Sequence, residues 1–236
     1  MRRTLVCAVA AAAICVEGIG HAAFAAMAEP AAAEYAIRWN ARDGGPASVN
    51  ETLALLKSRA TRVRRFNVDY YDLPPTMTAP PGFAMILRRR IEDGAGAELT
   101  WKLRGDHALA DWTCPLRNSK ESKSEVDVAF HGADAFTRAF SYSCTSDGRD
   151  PAASGLSATL KPCTVAMSRR VAGKIRIEEW RLPGDVLVIE VSGSGANSPG
   201  AMEQFRKVIV APLVAAGVVP TASSKTDLGS RCNQPA

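Results

Sequence analysis

Apolar and polar residues alternate with a period of two along most of the chain, the pattern of strands that bury one face. It predicts strands at 35–41, 63–71, 83–92, 97–104, 124–130, 160–171, 174–181 and 186–192. Asp93-Gly94-Ala95-Gly96, Ala172-Gly173 and Pro183-Gly184-Asp185 supply turn residues between neighbouring strands, so consecutive hairpins and antiparallel pairing are expected. A period near 3.6 marks three helices. Ser48 and Glu51 form an S-x-x-E cap ahead of Leu53, Leu55 and Leu56. Residues 133–140 place Phe136 and Phe140 at i,i+4, and Ser198-Pro199 opens a helix with Met202, Phe205, Val208 and Ile209 on one stripe, which Pro212 should bend or end.

The faces of these strands carry the candidate chemistry. In 97–104, Leu99, Trp101 and Leu103 oppose Glu98, Thr100, Lys102 and Arg104. Leu87 and Ile91 oppose Arg88 and Arg90; Val126 and Val128 oppose Glu125 and Asp127; Ile175 and Ile177 oppose Arg176 and Glu178; Leu187, Ile189 and Val191 oppose Glu190. A half-solvated sheet explains each strand singly. Eight strands can also close into a barrel wide enough for one small ligand. If helices cover its apolar outer face, the charges point inward. The expected fold is therefore α+β: an eight-stranded antiparallel barrel with a charged lumen and a few helices outside. Clustered Arg and Lys in such a lumen must be neutralised. A small polyanion would do so, and the lumen acids suit Mg²⁺ or Mn²⁺.

Composition sets the context. With 236 residues and 47% hydrophobic content, the chain suits one globular domain. Arg2 and Arg3, an apolar run and Ala26-Met27-Ala28 read as a signal peptide over residues 1–28, leaving 29–236 as one domain with a loop-like tail, secreted or periplasmic. The apolar run is short for a membrane span, and none is expected in the mature chain. Beyond the leader stand Cys114, Cys144, Cys163 and Cys232, which allow three pairings. Cys114 with Cys144 and Cys163 with Cys232 is preferred, because each then closes a loop around a candidate helix or ties down the tail. No C-x-x-C occurs, and His107 and His131 are isolated, which argues against zinc. The formal net charge of +5 and 6% aromatic content give no case for nucleic acid. Neither a phosphate-binding G-x-x-x-x-G-K-[ST] loop nor a G-x-S-x-G elbow is present.

Tyr70-Tyr71-Asp72-Leu73-Pro74, then Ala84-Met85-Ile86-Leu87-Arg88-Arg89-Arg90, then Leu99-Thr100-Trp101-Lys102 resemble successive motifs of the CYTH, or triphosphate tunnel, family. Its members include inorganic and thiamine triphosphatases and a class of adenylyl cyclases. The resemblance implies an eight-stranded antiparallel tunnel. It further implies phosphate contacts from Arg38, Arg88, Arg90, Lys102, and Arg169 or Arg176, with Glu34, Asp127, Glu178 and Glu190 as metal ligands and Glu125 and Glu190 as catalytic acids. Lys225 resembles a basic residue of the family's terminal segment. The family's E-x-E-x-K signature departs here to Glu34-Tyr35-Ala36-Ile37-Arg38. Ala36 removes a metal-binding glutamate, and Arg38 does not freely replace lysine at a fitted phosphate. The expectation is an exported phosphate-binding domain, either a metal-dependent triphosphate or polyphosphate hydrolase, or a non-catalytic anion-binding or structural envelope protein.

Overall fold

The computed structural model describes residues 28–148, 150–224 and 227. Residues 1–27, Lys225 and Cys232 lie outside them. Among the described residues nine strands form a closed barrel: β1 (Ala32–Asn40), β2 (Arg62–Asp72), β3 (Phe83–Glu92), β4 (Ala97–Gly105), β5 (Glu121–Phe130), β6 (Phe136–Asp147), β7 (Thr159–Ala172), β8 (Ile175–Leu182) and β9 (Val186–Ala196). Their order around the barrel is β1-β5-β6-β4-β3-β2-β7-β8-β9, with β9 pairing back to β1.

The barrel class agrees with the sequence reading, and the strand count and pairing correct it. The added strand is β6, where a helix was expected from Phe136 and Phe140. An i,i+4 spacing also satisfies period two, and Tyr142, Cys144 and Ser146 continue that alternation as buried positions. The pairing of β1 with β5 is parallel. Strand β4 ends with Gly105 opposite Phe140 of β6, whereas β5 begins with Glu121 opposite Thr145. The loop 106–120 therefore carries the chain back along the barrel before β5 begins, and β5 enters beside β1 in the same direction.

Helices and this loop cover the apolar outer faces. Helix α1 (Val49–Leu55) is capped by Ser48 Oγ, which accepts the Glu51 amide, while the Glu51 carboxylate accepts the Ala47 amide. α2 (Pro199–Phe205) passes through a π turn at Arg206–Val210 into α3 (Ala211–Ala215). The Ala211 amide reaches Arg206, so the wider turn lets the helix run on past Pro212 instead of stopping. Phe205, Ile209, Val210 and Leu213 pack with Val49 and Leu53 onto Tyr35, Ile37, Trp39, Val126, Ile177 and Val191. On another flank, Leu109, Trp112 and Leu116 of loop 106–120 cover Leu99, Trp101, Leu103 and Tyr142. The Cys114–Cys144 disulfide ties that loop to β6.

The interior is divided. Phe66, Val68, Tyr70, Val165, Met167, Trp180, Leu182 and Val188 form an apolar cluster on β2, β7, β8 and β9. In strand register these residues share the inward face with the charged ones: Trp180 lies two positions after Glu178, and Val188 two before Glu190. Part of the barrel interior is thus ordinary core, and the remainder is a polar cavity. No helix among the described residues is long and apolar enough to cross a membrane.

Candidate functional site: a bipolar cavity inside the barrel

The polar part of the interior is a cavity of about 420 Å³. Strand alternation brings the strand residues singled out from sequence to its wall: Glu34 and Arg38 from β1, Arg88 and Arg90 from β3, Lys102 from β4, Glu125 and Asp127 from β5, Arg169 from β7, Arg176 and Glu178 from β8, and Glu190 from β9. Arg104 joins them. Arg89 faces away, where it binds Asp69 at 2.6 Å and lies over the Tyr71 ring.

The carboxylates fall into two groups. Glu34 and Asp127 are register partners in the parallel β1·β5 pair, and with Glu125 they offer oxygens all within 4.8 Å of one another. Glu178 and Glu190 stand opposite each other on β8 and β9, each 2% exposed. Two buried carboxylates side by side require cations. Arg169 donates to Glu178 at 2.7 Å, Trp180 Nε1 donates to it at 3.0 Å, and Arg38 Nε donates to Glu190 at 2.9 Å. The four proposed metal ligands are consequently not one cluster: Glu34 and Asp127 group with Glu125, while Glu178 and Glu190 are held by arginines.

Cations are divided as well. Lys102 Nζ donates to Asp127 Oδ2 at 3.0 Å, Arg104 Nε donates to the same oxygen at 2.9 Å, and Arg176 binds Glu34 at 2.5 Å. Opposition to burial by two cations brings Asp127 down to about 2, although burial alone would raise it. Lys102 moves the other way: burial lowers it more than Asp127 raises it, with the like charge of Arg104 adding to the fall. Burial first, and then Glu34 and Asp127, raise Glu125. Asp127 Oδ1 is buried without a hydrogen-bond partner.

On β3 and β7, Arg88, Arg90 and Arg169 gather, with Arg169 already paired to Glu178. Burial, and then Arg88 and Arg169, push Arg90 down to about 9, which still leaves it charged at neutral pH. Arg90 approaches Glu98 only to 4.0 Å. Among the described residues Arg88 makes no hydrogen bond or ion pair, and its Nε is buried. The cavity thus has an acidic pole on β1 and β5 and a guanidinium pole on β3 and β7.

One contribution was missed from sequence. The chain after α3 returns across the cavity, with Ala222, Ser224 and Asp227 in its wall. Ser224 Oγ donates to Asp227 at 2.6 Å and accepts the Asp227 amide at 3.0 Å. The signal was present as S-x-x-D in a segment read as loop.

No protein-family model matches the chain, and no curated protein matches it. Among solved structures, it is similar to a conserved hypothetical protein from Pyrococcus furiosus at 14% identity, covering 83% of this chain and 99% of that one, with a TM-score of 0.46. A protein from Pyrococcus horikoshii OT3 is 13% identical over 83% and 97% of the two chains, with a TM-score of 0.45. A protein from Vibrio parahaemolyticus, described as a candidate adenylate cyclase, is 11% identical over 85% and 98%, with a TM-score of 0.45. At these TM-scores the likenesses carry no functional weight.

Proposed function

We propose that the cavity binds a small polyanion of the phosphoanhydride class, such as a triphosphate, and hydrolyses it with the help of a divalent cation. One observation carries this reading: a 420 Å³ cavity with a guanidinium pole at Arg88, Arg90 and Arg169 and a carboxylate pole at Glu34, Glu125 and Asp127. Guanidinium groups bind two phosphate oxygens each. The motif resemblance at residues 70–102 supports the same ligand class.

The carboxylate pole suits a hard cation. Three carboxylates converge, Asp127 Oδ1 has no hydrogen-bond partner, and oxygen donors are what Mg²⁺ and Mn²⁺ take. Glu34, Glu125 and Asp127 would hold the ion, which would neutralise charge on the phosphate oxygens. Arg88 and Arg90 orient the far phosphates. Lys102 and Arg104, which share Asp127, stand between the poles and are the cations able to turn toward the reacting phosphoryl group.

A non-catalytic anion-binding module is the second reading. Ala36 lines the cavity where the related signature has glutamate, and Arg38 is occupied by Glu190. Phosphate release from tripolyphosphate with Mg²⁺ or Mn²⁺ separates the two. Turnover that falls about 100-fold or more in both Lys102→Ala and Glu125→Gln supports hydrolysis. Binding without turnover selects the second reading, and neither binding nor turnover leaves a structural envelope protein.

A further inference from the structure

The outer surface of the barrel is not covered all round. Helices α1 to α3 cover one flank, and loop 106–120 covers another. The outward face at Val63, Arg65 and Asn67 of β2, at 166–170 of β7 and at the end of β8 is left uncovered, and it forms a groove of about 330 Å³. Apart from Phe66 and Met167, which belong to the interior cluster, its strand residues stand at the alternate positions, and it shares no lining residue with the interior cavity.

Strand register fixes the arrangement. Arg65 lies opposite Ser168, Asn67 opposite Ala166, and Val63 opposite Arg170. Arg65 and Arg170 are therefore diagonal neighbours about Ser168. Such positions lie roughly 7 to 8 Å apart, within reach of long side chains. Ala166 and Ser168 are small, so the floor at these positions is low, with Arg181 and Glu179 opposite them on β8.

The charges here are not balanced as they are inside. Arg181 is paired with Glu179 at 2.9 Å. Arg170 donates to neutral Asn50 at 2.5 Å, which orients it against α1 without neutralising it. The side chains of Arg65, Asn67 and Ser168 make no hydrogen bond or ion pair among the described residues. Asp93 on the rim forms no salt bridge with either arginine, and it is the remaining carboxylate of the groove. Two guanidinium groups, a hydroxyl and an amide thus present donors over a small-residue floor. Donors in that density suit an acceptor-only, tetrahedral anion.

We infer that Arg65, Ser168 and Arg170 form an external site for a phosphate-type oxyanion, independent of the cavity. Arg65 offers paired donors to its oxygens, Arg170 offers the terminal guanidinium donors that Asn50 leaves free, Ser168 donates from the floor, and Asn67 closes one side. The ligand is inorganic phosphate or the phosphate group of a monoester.

Calorimetric titration at low ionic strength with inorganic phosphate, and separately with glycerol 3-phosphate, tests this on the full-length protein. Arg65→Ala and Ser168→Ala leave the α1 contact of Arg170 untouched, and Arg88→Ala serves as the cavity control. The expected result is a binding event that survives Arg88→Ala and weakens about tenfold or more in Arg65→Ala, with a smaller loss in Ser168→Ala. Tighter binding of glycerol 3-phosphate than of phosphate would identify esters as the source, and the reverse would identify the free ion. Phosphate binding that Arg65→Ala leaves unchanged, or no binding outside the cavity, would overturn the inference. Because the control variants differ, failure here leaves the reading of the cavity standing, and failure of that reading leaves this one.

Discussion

At the scale of single residues, the cavity is held together by ion pairs whose partners are unequal in what they can lose. Glu190 has Arg38 as its cation, and both are buried. Glu190→Ala strands that guanidinium in the interior, and a loss of roughly 3 to 5 kcal/mol is expected in denaturant unfolding. Lys102→Ala should cost much less, because Asp127 keeps Arg104. The pH dependence follows from Asp127. Its pKa is depressed from an ordinary 3.8 to about 2, so its folded state is stabilised above the unfolded value and that stabilisation is lost as pH falls from about 4 to about 2. The contribution is about 2 kcal/mol near neutral pH, at 1.36 kcal/mol per unit of pKa. Asp127→Asn should flatten this acid limb in urea midpoints measured between pH 5 and 2. Glu125 is shifted the opposite way, so under the proposed function its proton would compete with a bound cation. Mn²⁺ affinity should therefore weaken on acidification already above the usual carboxylate range, and Glu125→Gln should remove that dependence.

At the scale of elements, the cover over β4 and β6 depends on a loop without regular structure. The Cys114–Cys144 bond spans 30 residues and holds Leu109, Trp112 and Leu116 over Trp101 and Tyr142. Cys114→Ser should lower stability by about 3 to 4 kcal/mol on the chain-entropy scale, read as a fall in thermal midpoint. Spacing left three pairings open, and Cys114 with Cys144 was preferred for closing a loop around a helix that is in fact β6. The faces of β3, β4, β5, β8 and β9 were legible, because alternation assigns a side to each residue whichever strand lies next to it. β6 was not: Phe136 and Phe140 fit both periods, and only burial of Tyr142, Cys144 and Ser146 decides between them. Nor was the parallel β1·β5 pair. It depends on where loop 106–120 delivers the chain, and local pattern carries no information about that.

At the scale of the whole molecule, the barrel reverses the usual distribution of polarity over part of its interior. Apolar faces are covered from outside, and the lumen divides between the cluster around Trp180 and a charged cavity. The division was hidden in the sequence because Val188 and Glu190, or Trp180 and Glu178, occupy the same face. Alternation tells which side a residue faces, but not the height at which the core gives way to charge. Grouping the acids also needed the closed barrel, since Glu34 meets Glu125 and Asp127 only through the β1·β5 register. The central claim is that this cavity binds a phosphoanhydride at its guanidinium pole. Calorimetric titration of tripolyphosphate in the presence of Mn²⁺, on the protein and its Arg88→Ala variant, tests it most directly. Saturable binding weakened about 10- to 100-fold by the substitution is expected, as for loss of a charge-assisted hydrogen bond of about 1.5 to 3 kcal/mol. Absence of binding, or binding that Arg88→Ala leaves unchanged, would contradict the account.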